Sequence, residues 1–170
     1  NDCTTLCVPK STTGPLDVLA LQEAPTYSKK RIHRFATALG MRLESMAEAD
    51  GALCNVLLVR SDEPPTGAHF PMVLRDRQEK RSAAAVTLRR EQEAPLTICT
   101  THLDHLSEQT RLSQLGQLGT HLNEAGLADA GVLLVGCAAG VLLVLLTCCG
   151  YAVRGCSATA AAAFDLHRRR

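Results

Sequence analysis

Leu16-Asp17-Val18-Leu19-Ala20-Leu21-Gln22-Glu23-Ala24-Pro25 is the stretch on which the fold turns. Its apolar run closes on Gln22-Glu23, and Pro25 stops it. A short, continuous apolar run bounded by breakers predicts a strand buried on both faces. Gln22 and Glu23 then stand at its C-terminal end. A carboxylate there is placed to hold a hard divalent cation, because Mg2+ uses one or two protein carboxylates and fills its shell with water and phosphate oxygens. Taken alone, the same glutamate marks nothing more than the point where a strand meets solvent.

Working outward, Ile32, Phe35, Ala36 and Leu39 recur at helical spacing between a capping Ser28 and a terminating Gly40. Leu53-Cys54-Asn55-Val56-Leu57-Leu58-Val59 predicts a strand, and Asp62-Glu63-Pro64-Pro65-Thr66-Gly67 a loop. Ser82–Leu88 and Leu96–Thr101 are strand-like runs around the polar insert Arg89–Pro95, which predicts a hairpin. A second helix starts at Ser107, with Leu112, Leu115, Leu118 and Leu122 as its stripe and Gly126 as its end. Val132-Leu133-Leu134-Val135-Gly136 follows as a buried strand. Strand, helix, several strands, helix, strand is the order of layered sheets with flanking helices. Residues 1–15 are a polar leader or an incomplete first strand, and the opening at Asn1, with neither an initiator Met nor an apolar leader, reads as a fragment.

Composition narrows the function classes. With 170 residues, 46% hydrophobic and 21% charged, the chain is long and apolar enough for one domain with a core, and it is not disordered. A net charge of +1 supplies no field to steer a polyanion, so charge does not indicate a nucleic-acid partner. Aromatics at 3% and the lack of Trp leave few stacking platforms for single strands. The basic runs Lys29–Arg31, Arg89–Arg90 and Arg168–Arg170 read as solvated faces. None of the eight cysteines forms a C-x-x-C pair, which argues against a zinc ribbon or a thioredoxin-type motif, and Cys54 and Cys99 read as small core residues. Ala130–Val153 holds no charged residue over 24 positions, long enough for a helix to cross a bilayer. The competing reading of that segment is a core strand followed by a second buried element.

A second motif is Thr100-Thr101-His102-Leu103-Asp104-His105. Two His and an Asp so close together suit metal ligation or acid–base work. The H-x-H-x-D-H zinc-hydrolase signature fails here, because Thr100 stands where its first His belongs. Arg111 and Gln114 lie one turn apart on the helix that follows.

Together these pieces resemble the endonuclease/exonuclease/phosphatase family, the metal-dependent phosphoesterases of DNase I type. Asp17–Glu23 is similar to its D-V-(I/L)-x-L-Q-E strand, Thr100–His105 to its N-T-H-(L/F)-D-H strand end, and Arg111–Gln114 to an R-x-x-Q helix. Glu79–Ala83 is similar to an E-x-R-x-A strand entry, and Leu134-Val135-Gly136 to the start of L-x-G-D-x-N. The resemblance covers residues 16–136 and implies an α+β fold, an incomplete four-layer αββα sandwich. It further implies Mg2+ (or Mn2+) at Glu23, catalytic roles for His102 and Asp104, substrate contacts from His105 and Arg111, and a phosphate-ester substrate. Residues 137–170 depart from the pattern as an apolar tail with a basic end. Cys137 and Ala139 stand where the family carries its water-activating Asp and its phosphate-holding Asn, and no closing Ser-Asp-His occurs. Neither Asn1 nor Asn55 can be assigned to the Asn of the family's first strand. The expectation is therefore a phosphoesterase-like domain with impaired turnover. The alternative is an inactive binding or structural remnant, cytoplasmic if soluble, or tethered to a membrane through residues 130–153.

Overall fold

The apolar run closed by Gln22-Glu23 becomes the central strand β1 (Val18–Pro25). After a single 3-10 turn at Thr26–Ser28 come α1 (Lys29–Ala38), β2 (Met41–Glu48), β3 (Leu53–Arg60), β4 (Gly67–Leu74), β5 (Arg81–Leu88) and β6 (Leu96–His102). Then follow α2 (Glu108–Glu124), β7 (Gly131–Ala138), β8 (Val141–Leu146), β9 (Tyr151–Gly155) and β10 (Ala161–Arg168). The computed structural model describes residues 16–48, 53–63, 67–74, 80–92, 94–127, 131–138, 141–146, 151–155 and 161–168.

The strands form two sheets, in the orders β2-β3-β1-β10-β9 and β4-β5-β6-β7-β8. All described pairings are antiparallel except β6 with β7, which is parallel and reached through α2. That crossover is what a helix between two parallel strands requires.

Alternation along the strands sorts the apolar residues into three layers of core. Val18, Ala20, Leu57 and Val59 of the first sheet meet Ala84, Val86, Ile98, Leu133 and Val135 of the second between the sheets. Leu19, Val56 and Leu58 on the first sheet's other face pack under Ile32 and Ala36 of α1. Ala83, Ala85, Cys99 and Leu134 on the second sheet's other face pack under Leu118 and Leu122 of α2. Four layers result, helix, sheet, sheet, helix: the αββα sandwich expected from the sequence. Burying both faces of a strand explains why β3 and β5 read as continuous apolar runs, and each fully buried Leu or Val in them contributes about 1.5–3 kcal/mol.

A buried charge network closes one end of this sandwich. Asp17 Oδ1 lies 3.0 Å from Arg60 Nη1, and Asp17 Oδ2 lies 3.1 Å from Arg90 Nη2. Glu63 Oε1 meets the same two guanidinium groups at 3.1 and 2.6 Å. The Glu63 carboxylate is the main reason the Arg90 pKa is raised, working against burial.

Several expectations need correction. Residues 130–153 are not one spanning helix: the segment forms β7, β8 and part of β9, and the backbone polar groups of β7 pair with β6 and β8. No described helix is long and apolar enough to cross a membrane. Ser28 precedes α1 but makes no side-chain cap, whereas Ser107 does cap α2 by accepting from the Thr110 backbone N–H at 3.2 Å. The stripe of α2 is rotated from the expected one. Gln114, Leu118 and Leu122 are its buried positions, and Leu112 is 62% exposed. β2 and β4 were not read from the sequence. The leader 1–15 and Ala139 lie outside the described residues.

Candidate active site

The site lies at the mouth between the two sheets, where the C-terminal ends of β1, β6 and β7 converge. Its first element is a β-bulge. Leu21 pairs with Val56 and Ala24 with Cys54, so Gln22 and Glu23 together oppose Asn55. Glu23 takes up the extra length with φ +56°, a left-handed conformation that costs a non-glycine residue about 1–3 kcal/mol. A bulge re-aims the side chains it carries. Here the Gln22 amide reaches across to Thr100 Oγ1 in the other sheet at 3.4 Å, and the half-exposed Glu23 carboxylate meets His102.

His102 Nδ1 stands 3.0 Å from Glu23 Oε1. The contact is an ion pair when the imidazole is protonated. His102 ends β6, and its Cα partner in the neighbouring parallel strand is Cys137. One residue earlier, Gly136 pairs with Thr101. A Cβ at that glycine would lie 3.2 Å from the Thr101 carbonyl oxygen, so the close approach of β7 to β6 favours glycine there.

The floor of the mouth is polar. Asn55 of β3, 4% exposed, donates from Nδ2 to the Ser82 carbonyl at 2.8 Å and to Ser82 Oγ at 3.0 Å. Ser82 Oγ in turn donates to the Ala47 carbonyl at 2.8 Å. This chain of bonds ties the first sheet to the second next to Glu23. An open pocket is lined by Glu23, Asn55, Arg81, Ser82 and His102, with Leu53 and Cys54 on its apolar side. It thus brings together a carboxylate, an imidazole, a guanidinium and a buried amide.

The other sequence candidates lie beside this pocket rather than in it. Asp104 is buried, and its Oδ1 accepts the backbone N–H groups of Leu106 at 2.8 Å and Ser107 at 2.6 Å. These bonds, that of Ser107 foremost, hold its carboxyl below the usual carboxylate range, with Arg81 and His105 adding to the effect and burial opposing it. The backbone N–H of Asp104 donates to Gln114 Oε1 at 2.9 Å. Through its bonds to Leu106 and Ser107 the carboxylate shapes the turn into α2. Arg111 Nη1 reaches the Asp104 carbonyl at 3.3 Å, bracing the same turn, and His105 Nδ1 lies 3.5 Å from Arg81 Nη2. Sequence reasoning named Asn55 but assigned it no role, and took Ser82 only as the start of a strand; the signal available was a lone Asn inside the apolar run Leu53–Val59.

At the C-terminal end, Phe164 of β10 pairs with Val18. The backbone of Asp165 and His167 therefore lies toward the end of β1 remote from Glu23.

The donor set fits Mg2+ better than zinc. Among the described residues no three His, Cys, Asp or Glu side chains cluster, as a closed zinc site would need. One carboxylate and one buried amide oxygen suit a cation that keeps most of its water. The Cys54 thiol is pushed up to about 11, chiefly by burial and then by Glu48, with Lys29 opposing, so it is a poor soft ligand.

No model of a protein family matches the sequence, and no curated protein matches it. Solved structures do. ANGEL2, a 2′,3′-cyclic phosphatase, superposes with a TM-score of 0.61 at 16% identity, over 74% of this chain and 40% of that one. The human Nocturnin catalytic domain with bound sulfate anion gives 0.64 at 14%, over 89% and 81%. An endonuclease/exonuclease/phosphatase family protein from Bacteroides thetaiotaomicron gives 0.58 at 16%, over 71% and 48%. The chain thus spans about 40% of the length of ANGEL2. It has the DNase I-like fold of these structures, the fold that its Glu23 and His102 motifs had indicated.

Proposed function

We propose that the chain is a divalent-cation-dependent phosphoesterase-like domain that takes a phosphodiester or phosphomonoester at the Glu23–His102 mouth. The observation that carries this reading is the 3.0 Å approach of His102 to Glu23. It unites two motifs from different sheets at one pocket, in a fold whose solved examples include phosphatases. Glu23 would hold Mg2+ or Mn2+, which when bound polarises a phosphoryl oxygen. His102 would hydrogen-bond the phosphoryl group or move its proton, and Arg81 would add positive charge on the pocket wall. Leu53, 44% exposed at the rim, offers apolar contact to the rest of the ester. The test is hydrolysis of a generic nitrophenyl diester with added Mg2+. The expected result is a slow, Mg2+-dependent rate that Glu23→Ala abolishes; a rate unaffected by that substitution sinks the assignment.

A second reading is a domain that binds phosphate esters without turnover. It is favoured by Cys137, which stands beside His102 in the sheet, where the family resemblance calls for a water-activating carboxylate. Positioned acid–base groups contribute about 10²–10⁴-fold, so their loss leaves binding with little chemistry. Rapid turnover by the unaltered chain would exclude this reading.

A further inference from the structure

Asn55 holds a buried oxygen for which the fold supplies no donor. Its Oδ1 is fully covered and forms no hydrogen bond, although the residue is one of those lining the pocket. Buried carbonyl oxygens are seldom left unpaired, and the orientation of this amide is not open to exchange. Nδ2 donates to the Ser82 carbonyl at 2.8 Å; a flip would set two carbonyl oxygens against each other. Ser82 Oγ spends its proton on the Ala47 carbonyl, so it too can only accept from Asn55. The two bonds from Nδ2 therefore fix the amide in one orientation and leave the acceptor without a partner, in a residue that lines the pocket. It stands opposite the bulge that presents Glu23.

We propose that Asn55 Oδ1 accepts a hydrogen bond from a water in the hydration shell of a divalent cation held at Glu23. A small hard cation keeps several of its waters, and each is a strong donor. The bulge sets Glu23 opposite Asn55 across the strand pair, and both residues line the pocket. Asn55 is then a positioning residue: it orients the hydrated cation without replacing a ligand. This inference rests on the cation assignment at Glu23 and deepens it.

The experiment is a Mn2+ titration of the full chain near neutral pH, followed by the loss of the free-ion electron paramagnetic resonance signal, on the wild type and on Glu23→Gln, Asn55→Ala and Ser82→Ala. The expected result is that Glu23→Gln removes the site. Asn55→Ala should weaken it about three- to tenfold, the worth of one lost hydrogen bond. Ser82→Ala loosens the amide and should weaken binding about two- to threefold, which keeps the question decidable if Asn55→Ala does not fold. Loss of Mn2+ binding in Glu23→Gln with unchanged affinity in Asn55→Ala, or in Ser82→Ala should that variant stand alone, overturns the role of Asn55 and leaves the cation site standing. A wild type that binds no Mn2+, or a Glu23→Gln variant that binds as the wild type does, overturns the cation site and this inference together.

Discussion

Glu23 reaches His102 Nδ1 at 3.0 Å from a backbone held at φ +56°, inside a bulge opposite Asn55. A regular strand would avoid that conformation.

Glu23→Gly should therefore stabilise the fold while removing the carboxylate. Relief of the left-handed strain, less the extra unfolded-state entropy of glycine, is worth about 0.5–1 kcal/mol. Urea denaturation of the variant should show a higher midpoint with an unchanged slope. A lower midpoint would mean that the Glu23 side chain stabilises the mouth by more than its backbone costs.

The network of Asp17, Glu63, Arg60 and Arg90 has no role at the mouth, and its effect should be on stability alone. Each carboxylate meets both guanidinium groups. Asp17→Asn or Glu63→Gln leaves a partly buried cation short of a partner and should cost roughly 2–3 kcal/mol. Denaturant titration measures this, and Mn2+ affinity should stay the same.

Asp104 sets an acid limit. Its pKa is lowered in the folded protein by the Ser107 and Leu106 backbone N–H groups. A carboxylate with a depressed folded pKa contributes stability above its unfolded pKa and loses it as pH falls through the folded value. The melting temperature should therefore fall below the ordinary carboxylate range, and Asp104→Asn should flatten that part of the profile while lowering stability near neutrality. Parallel profiles for the two proteins would refute the assignment.

Burial raises the Cys99 thiol to about 12 and, with Glu48, the Cys54 thiol to about 11. At pH 8 the thiolate is the minor form in both, and the thiolate is what reacts. Alkylation of the native chain, mapped by mass, should leave these two unmodified until denaturant is added. Early labelling of Cys54 would show that the pocket wall opens.

Much of this arrangement is legible in the residues themselves. Period and punctuation identify β1, β3, β5, β6, β7 and both helices, because those elements are buried on faces that leave a clear apolar pattern. β2 is obscured because Met41-Arg42-Leu43-Glu44-Ser45-Met46-Ala47-Glu48 mixes polar and apolar residues across a register shift between Leu43 and Ser45. The α2 stripe is misjudged because a polar Gln114, which accepts the Asp104 backbone N–H, takes a buried place and turns Leu112 outward. Glu23 and His102 can be singled out from strand ends, but their meeting is a product of two sheets facing each other, which no spacing encodes. Asn55 escapes for the same reason: its anchor, Ser82, belongs to the opposite sheet. The uncharged run after Ala130 suits a membrane helix as well as it suits strands, and only the pairing of β7 with β6 and β8 decides between them.

The most direct test places the carboxylate and the amide of the family pattern at positions 137 and 139. In a chain carrying Cys137→Asp and Ala139→Asn, Mg2+-dependent hydrolysis of a nitrophenyl phosphodiester should rise at least about 10²-fold over the wild type and be lost again when Glu23→Gln is added. No rise in a folded variant, or a rise that survives Glu23→Gln, would contradict the assignment of this mouth as a phosphoesterase site.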